Sequence, residues 1–593
     1  MTMLLFLAAA ALSTTAADVR RGTASVVAMD PAADTSCLKI DRRWSGPILT
    51  TRLISRCRAA VAIREVVALQ GAHDLPPETG LYGEGFTMLT LAVGTLGKPE
   101  NLGRLDSVHY KIPQPAGSQT YYGAALLSPP GADHLLVGFL SAKRYVGAVN
   151  LWRDRYRVAF DAEGQRIAPG ESWSFEPIYV NGGPARGALM ADFAGRIART
   201  NRARAEAPVH TGWSSWNAFR EHVTFDQVVA TTKIVADRAP MLDYIQLDDG
   251  FQPYEGDWLV TRPAFGGTIP EMSKAIRALG KKPALWVAPL VADRDSALLR
   301  EHPDWFVKGP DGKPLSAGTV SYAGWGGPWY SLDGSHPEVQ RHLESMFRTM
   351  RRDWNIDYFK LDALFWGAIH GGTFHNSKAT RLSAYRLAIQ AIRRGAGDAF
   401  VTIANAPLWP SIGFADASRA SNDVGYHWRS FRVVGRENLY RSWMHRTLWV
   451  TDPDSIMLWG QAPPKIGEKP ADPAMPNEMR AHWTSIYMTG GIFLTGDDLT
   501  ALPAERLKVM EDLGRPEGFA PRFDNPDLSF IDTEKGPKAA FNWSDESRTI
   551  ALTGPRGSTW KDHWTGQTVT FDGNGRASVN VPGRDALLLR RGK

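Results

Sequence analysis

The sequence predicts a multidomain protein: a central (β/α)8 TIM barrel flanked by an N-terminal β-sandwich and a small C-terminal all-β domain. Three observations predict it. From His210 to about Leu513, eight short apolar strands alternate with helical segments, as that barrel requires. Before and after this region, runs of alternating polarity are separated by turn residues, the pattern of antiparallel sheets. Finally, Asp248-Asp249, Asp362, Asp423, Asp452 and Asp497-Asp498 each follow a strand, at the carboxyl end where barrel sites are built. A doubly wound open sheet shares the alternation, yet no glycine-rich phosphate loop follows the first strand.

A length of 593 residues calls for two to four domains, with 43% hydrophobic and 22% charged residues typical of a folded chain. Met1 to Ala17 (MTMLLFLAAAALSTTAA) is apolar from Leu4 to Leu12 and then turns to small residues, so 1–17 reads as a signal peptide and the protein as exported, periplasmic or secreted. Its start carries no Lys or Arg. Residues 18–204 read as the N-terminal domain, with strands around His134–Leu140, Tyr156–Phe160 and Trp173–Val180. Leu189, Phe193 and Ile197 recur every four residues and mark a connecting helix. Cys37 and Cys57 are the two cysteines, open to reading as a disulfide or as two buried thiols.

Residues 205–514 form the predicted barrel. Its strands lie around Thr211–Trp213, Tyr244–Leu247, Ala284–Val287, Tyr358–Leu361, Phe400–Ala404, Ala417–Ala420, Leu448–Thr451 and Ile492–Thr495. Helices fall at Thr224–Ala239, Pro270–Leu279, Pro337–Arg352 and Ala379–Arg394. Residues 515–593 return to alternation, with Asp572-Gly573-Asn574-Gly575 read as a hairpin turn. The sequon at Asn542-Trp543-Ser544 sits in a predicted strand and is read as chance.

The chemistry centres on Tyr358-Phe359-Lys360-Leu361-Asp362. Two residues apart in a strand, Lys360 and Asp362 point to one side, and buried charges there must be paired or used. A structural ion pair is one reading. The other takes Asp362 with Asp423, at the ends of the fourth and sixth strands, as the two carboxylates of glycosidic bond cleavage. Lys360 would keep Asp362 charged, and Tyr426 and Trp428 would help Asp423 stay protonated.

The motifs GWSSWN (Gly212–Asn217), YIQLDDGFQ (Tyr244–Gln252) with GDW (Gly256–Trp258), ALWVAP (Ala284–Pro289), YFKLDAL (Tyr358–Leu364), PLWPSIGFADASRASNDV (Pro407–Val424) and LWVTDPD (Leu448–Asp454) occur in this order. Together they resemble the melibiase-type α-galactosidases of glycoside hydrolase family 36 and their family 27 relatives. The resemblance implies a retaining exo-glycosidase without metal or organic cofactor, acting on a carbohydrate with a terminal α-galactosyl-type sugar. It implies Asp362 as nucleophile and Asp423 as general acid/base. Asp248 and Asp249 would hold O4 and O6, Lys360 would bond O3 or O4, Arg419 would approach O2, and Trp213 and Trp286 would shape the pocket. Where the family commonly carries Cys-Gly beside the C2 substituent, this chain has Ala404-Asn405, which adds Asn405 to the candidate contacts and α-N-acetylgalactosaminidase to the readings. A second departure is Gly326-Gly327-Pro328-Trp329, where many members carry an Arg.

Other classes fit less well. A non-catalytic carbohydrate-binding protein has less reason to carry both Asp362 and Asp423. The 14 His show no metal-binding spacing. A net charge of +6 with no basic run interleaved with aromatics gives no ground for nucleic-acid or membrane-surface binding, and after Leu12 no apolar run is long enough to span a bilayer.

Overall fold

The computed structural model describes residues 14–316, 327–460, 474–516, 518–533 and 535–591. It divides into two compact units: Met1–Phe86 with Thr90–Leu189, and Met190–Lys593 together with Thr87–Leu89. Most of the expected signal peptide, residues 1–13, lies outside the described residues. Thr15, near the expected cleavage point, caps the short helix Ala16–Arg20 by a reciprocal bond pair with Asp18.

The first unit holds a six-stranded and a nine-stranded antiparallel sheet. Phe139 of one meets Phe160 of the other at 5.5 Å between ring centroids, and Phe175 stacks on Phe160 at 5.0 Å. The stretch read as one strand over Trp173–Val180 is two, Ser172–Ser174 and Ile178–Gly183. The break falls at Glu176-Pro177, because Pro177 has no N–H for a ladder and the Glu176 carboxylate turns aside to accept the N–H groups of Lys143, Arg144 and Tyr145. Cys37 and Cys57 are joined in a disulfide, with Cα atoms 4.9 Å apart.

The second unit is organised by a curled parallel sheet. Its strands are β1 (Thr211–Ser214), β2 (Tyr244–Leu247), β3 (Lys282–Val287), β4 (Tyr358–Leu361), β5 (Phe400–Ile403), β6 (Ala417–Arg419), β7 (Val450–Asp452), β8 (Ser455–Ile456) and β9 (Phe493–Thr495), in the order 7-6-5-4-3-2-1-9-8. The Ile492 amide also donates to the Thr451 carbonyl at 2.8 Å, joining the β9 end to the β7 end. Inside, Val209, Tyr244, Ala284, Tyr358, Phe400, Ala417, Val450 and Leu494 form one buried apolar cluster to which β2 to β7 and β9 each give a residue. Two residues further along β2 and β4 the same face carries Gln246 and Lys360, and two further Asp248 and Asp362. The period of two thus lifts the side chains from an apolar floor to a charged rim.

Helices at Phe225–Arg238, Ile269–Ala278, Pro337–Arg352 and Arg381–Ala396 match the expected ones within two residues at each end. Thr224, Thr268 and Thr380 cap three of them with reciprocal side-chain bonds. Near the C-terminus two further sheets enclose a core including Trp560, Phe571, Ile550 and Leu587. Asp572–Gly575 does not close a hairpin, since Thr568–Thr570 pairs with Thr559–Asp562 while Arg576–Val581 pairs with Arg548–Thr553. The turn joins two sheets. Asn542 is fully buried with its amide donating to three backbone carbonyls, which agrees with reading its sequon as chance.

Candidate active site

Asp362 stands one residue past β4. Its Oδ1 accepts the Asn405 amide at 2.7 Å and its own neighbour's N–H, from Ala363, at 2.6 Å, while Oδ2 accepts the Trp286 indole N–H at 3.2 Å. Both residues that donate to Oδ1, Ala363 through its backbone and Asn405 through its side chain, are left-handed: Ala363 has φ 51° and Asn405 φ 44°. Such conformations cost energy in non-glycine residues and hold the carboxylate in one orientation.

Lys360 is expected to act on Asp362 and lies within electrostatic reach of it, while its ammonium hydrogen-bonds Asp248, at 2.9 Å. Asp248 Oδ2 also accepts from Gln246 at 2.8 Å, and the Asp248 amide donates to Ser215 Oγ at 2.9 Å. Burial alone would depress the Lys360 pKa, yet Asp248, with further help from Asp362 and Asp454, more than offsets it and the pKa is raised. Asp249 is buried and held by the Gln252 amide at 2.7 Å, and Gln252 also reaches Glu255, whose carboxyl burial pushes up to about 7.

Arg419 ends β6 and is 2% exposed. Its terminal nitrogen donates to Asp423 Oδ1 at 3.1 Å and to Asp454 Oδ2 at 2.9 Å. Asp423 is not enclosed by aromatics as expected, because its side chain lies on the loop past β6 and is 63% exposed. That loop is braced from behind: Asn422 donates its backbone N–H and its amide to the buried Glu437 carboxylate, at 2.9 and 2.6 Å. Burial pushes Glu437 up to about 7, against the pull of Arg441.

Trp286 is buried beside Asp362, backed by Trp258 at 5.7 Å between centroids. Trp213, expected to line a sugar pocket, is fully buried and donates to the Asp497 carbonyl at 2.8 Å, so it supports the ends of the strands and offers no surface of its own. Ala404 is buried as well, with Asn405 beside it reaching Asp362. Gly326 lies outside the described residues, while Trp329–Ser331 pairs with Val291–Asp293. Among the described residues no group of three or more His, Cys, Asp or Glu is placed to hold a metal ion, and no helix is long and apolar enough to cross a membrane.

Sequence reasoning missed four supporting residues: Gln246, Gln252, Glu437 and Asp454. Asp454 had a signal, as the second aspartate of Asp452-Pro453-Asp454. The others carry polar side chains in apolar surroundings, a pattern that marks them as buried only once the strand faces are known.

Comparison with known proteins places this arrangement. The Melibiase family model matches residues 194–393. This region is similar to the melibiase family. The matched stretch takes in β1 to β4 with Asp248, Asp249, Lys360 and Asp362, while Arg419 and Asp423 lie beyond it. The resemblance read from the six motifs holds. The chain is 28% identical over 156 residues to the bifunctional alpha-galactosidase/sucrose kinase AgaSK of Mediterraneibacter gnavus, spanning 25% of this chain and 16% of that one. It is 29% identical over 157 residues to the A type blood alpha-D-galactosamine galactosaminidase of Flavonifractor plautii, spanning 25% and 14%. Each match thus covers under a fifth of the relative's own length. The fold is like that of TtGalA, the alpha-galactosidase from Thermus thermophilus solved with p-nitrophenyl alpha-D-galactopyranoside: TM-score 0.63 at 23% identity, covering 84% of this chain and 98% of the other.

Proposed function

We propose that this protein is a glycoside hydrolase that releases terminal α-linked galactose from oligosaccharides or glycoconjugates by a retaining, two-carboxylate double displacement. The observation that carries the reading is the set of charges gathered past β2, β4 and β6: Asp362 fixed by Trp286 and Asn405, the Lys360–Asp248 pair, and Arg419 beside Asp423. In the first step an Asp362 oxygen bonds to the anomeric carbon as the glycosidic C–O bond breaks. Asp423 gives its proton to the departing oxygen. Water then attacks the glycosyl-enzyme, losing a proton to Asp423 and freeing Asp362.

Asp248 and Asp249, with Lys360, suit the axial O4 and the O6 of galactose, because charge-assisted bonds in a dry site reject the equatorial epimer. Arg419 and Asn405 fit the O2 side, Trp286 fits the pocket wall, and Trp213 supports it from beneath. The architecture we assign is a closed (β/α)8 barrel over 205–514 between an N-terminal β-sandwich over 18–204 and a C-terminal β-domain over 515–593. The bond from Ile492 to Thr451 supports closure. Export rests on Met1–Ala17 and is tested by sequencing the N-terminus of the mature protein.

Initial rates on p-nitrophenyl α-galactoside and p-nitrophenyl α-N-acetylgalactosaminide, with Asp362→Asn as blank, test the reading. Preference for the galactoside is expected; no activity on either would overturn it. Preference for the second would move the assignment to an α-N-acetylgalactosaminidase, a reading favoured by the small side chain of Ala404.

A further inference from the structure

Asp454 is a non-glycine residue at φ 73°, a strained conformation kept on a carboxylate that is 13% exposed. Its Oδ2 accepts from Arg419 at 2.9 Å and from the Val424 amide at 2.8 Å, so one oxygen ties together the guanidinium and the residue that follows Asp423. The Asp454 amide in turn donates to Asp452 Oδ1 at 3.0 Å, which holds the turn to the end of β7. The same Arg419 nitrogen that reaches Asp454 also reaches Asp423. Two carboxylates therefore share one cation, one of them largely covered and the other open to solvent.

This arrangement solves a difficulty in the reading proposed above, on which it rests. An acid/base group must take up and give back a proton in each cycle, yet a guanidinium at 3.1 Å opposes protonation of its neighbour. We propose that Asp454 is a positioning residue that supplies the counter-charge of Arg419, so that Asp423 is free to leave the guanidinium and hold the proton it donates. When Asp423 becomes neutral, Arg419 remains paired with Asp454 and no buried cation is stranded, an outcome that would cost several kcal/mol. Other charged groups facing this pair are Asp452 on β7, Lys360 on β4, Asp362 just past it, and Glu437, which holds Asn422 from behind the loop. Lys360 is already engaged by Asp248, and Asp452 accepts the Asp454 amide. Asp454 is thus the carboxylate bonded to Arg419 from a second loop.

The test is the pH dependence of kcat and kcat/KM for the wild type, Asp454→Asn and Asp454→Glu, each on p-nitrophenyl α-galactoside and methyl α-galactoside. The nitrophenolate departs without help, whereas methoxide needs the proton of Asp423. In Asp454→Asn the basic limb is expected to move down by roughly one pH unit or more. Near neutral pH, kcat should fall at least about tenfold more on the methyl glycoside than on the nitrophenyl one. Asp454→Glu should restore the limb. A limb that stays in place, with equal losses on both substrates, would overturn the proposal, as would a loss confined to KM. If Asp454→Asn does not fold, Asp454→Ser keeps an oxygen for the Val424 amide without the charge and carries the same expectations. Wild-type inactivity on both galactosides would overturn the hydrolase reading and this proposal with it; wild-type activity with an unmoved limb would overturn this proposal alone.

Discussion

At the scale of single residues, the site depends on how Asp362 is held. Replacing it with Asn removes the negative charge but keeps the shape, and with its oxygen in the Oδ1 place it still accepts from Ala363 and Asn405, giving up only the longer bond from Trp286. Activity should fall by at least roughly 10³-fold while the unfolding temperature stays close to that of the wild type. Asn405 is the informative neighbour. At φ 44° glycine is at ease, so Asn405→Gly should leave stability nearly unchanged. It nevertheless deletes a 2.7 Å bond to a carboxylate, worth about 1.5–3 kcal/mol, and kcat/KM should drop by roughly 10- to 100-fold. An Asn405→Gly enzyme with unaltered kinetics would mean that Trp286 and the Ala363 amide suffice to orient Asp362.

At the scale of elements, strands place the charges and helix caps secure the strands. The helix Ile269–Ala278 leads into β3, which carries Trp286. Thr268 caps it by accepting the Glu271 amide at 3.4 Å while the Glu271 carboxylate accepts from Thr268 at 2.9 Å. Thr268→Ala should cost about 1 kcal/mol, read from denaturant unfolding, with little change in KM. In the first unit the Cys37–Cys57 bridge spans a sequence separation of 20, and a loop of that size stabilises by roughly 3 kcal/mol in the chain-entropy view. Changing both cysteines to serine should lower the unfolding free energy, read from denaturant unfolding, by an amount of that order; an unchanged free energy would show that the strands Leu38–Ser45 and Ile48–Ser55 are ordered without it.

For the whole molecule, buried histidines set the acid limit. His482 is fully buried with Nε2 accepting the Met457 amide at 2.9 Å, and His445 Nδ1 accepts the Thr451 amide at 3.1 Å. Accepting a backbone N–H requires the neutral ring, and burial pushes both pKa values down to about 3. Folded values below the unfolded value of 6.5 mean that the unfolded chain takes up protons first. Stability is therefore present above pH 6.5 and lost as pH falls toward 3, by about 2 kcal/mol per histidine at pH 5. His482→Gln keeps an acceptor that does not titrate, so its unfolding midpoint should decline less than the wild type's between pH 7 and 5. Identical declines would remove His482 from this account.

What the sequence determined by itself is whatever depends on local periodicity. Eight strands in the right order, four helix spans and the placement of Asp362 one step past β4 all follow from apolar spacing and capping residues, because side-chain direction in a strand repeats every two residues. The motifs in turn carried the family. What only the tertiary structure decided is which charges meet. Lys360 and Asp362 share a strand face, yet the ammonium pairs with Asp248 from two strands away, because β4 lies beside β3 and β3 beside β2. Nor does spacing reveal that Trp213 is buried beneath the rim, that Asp423 faces solvent, or that Asp454 shares Arg419 with it. These depend on contacts between residues tens to hundreds of positions apart, and the energy of a charge is set by the neighbours that replace its water.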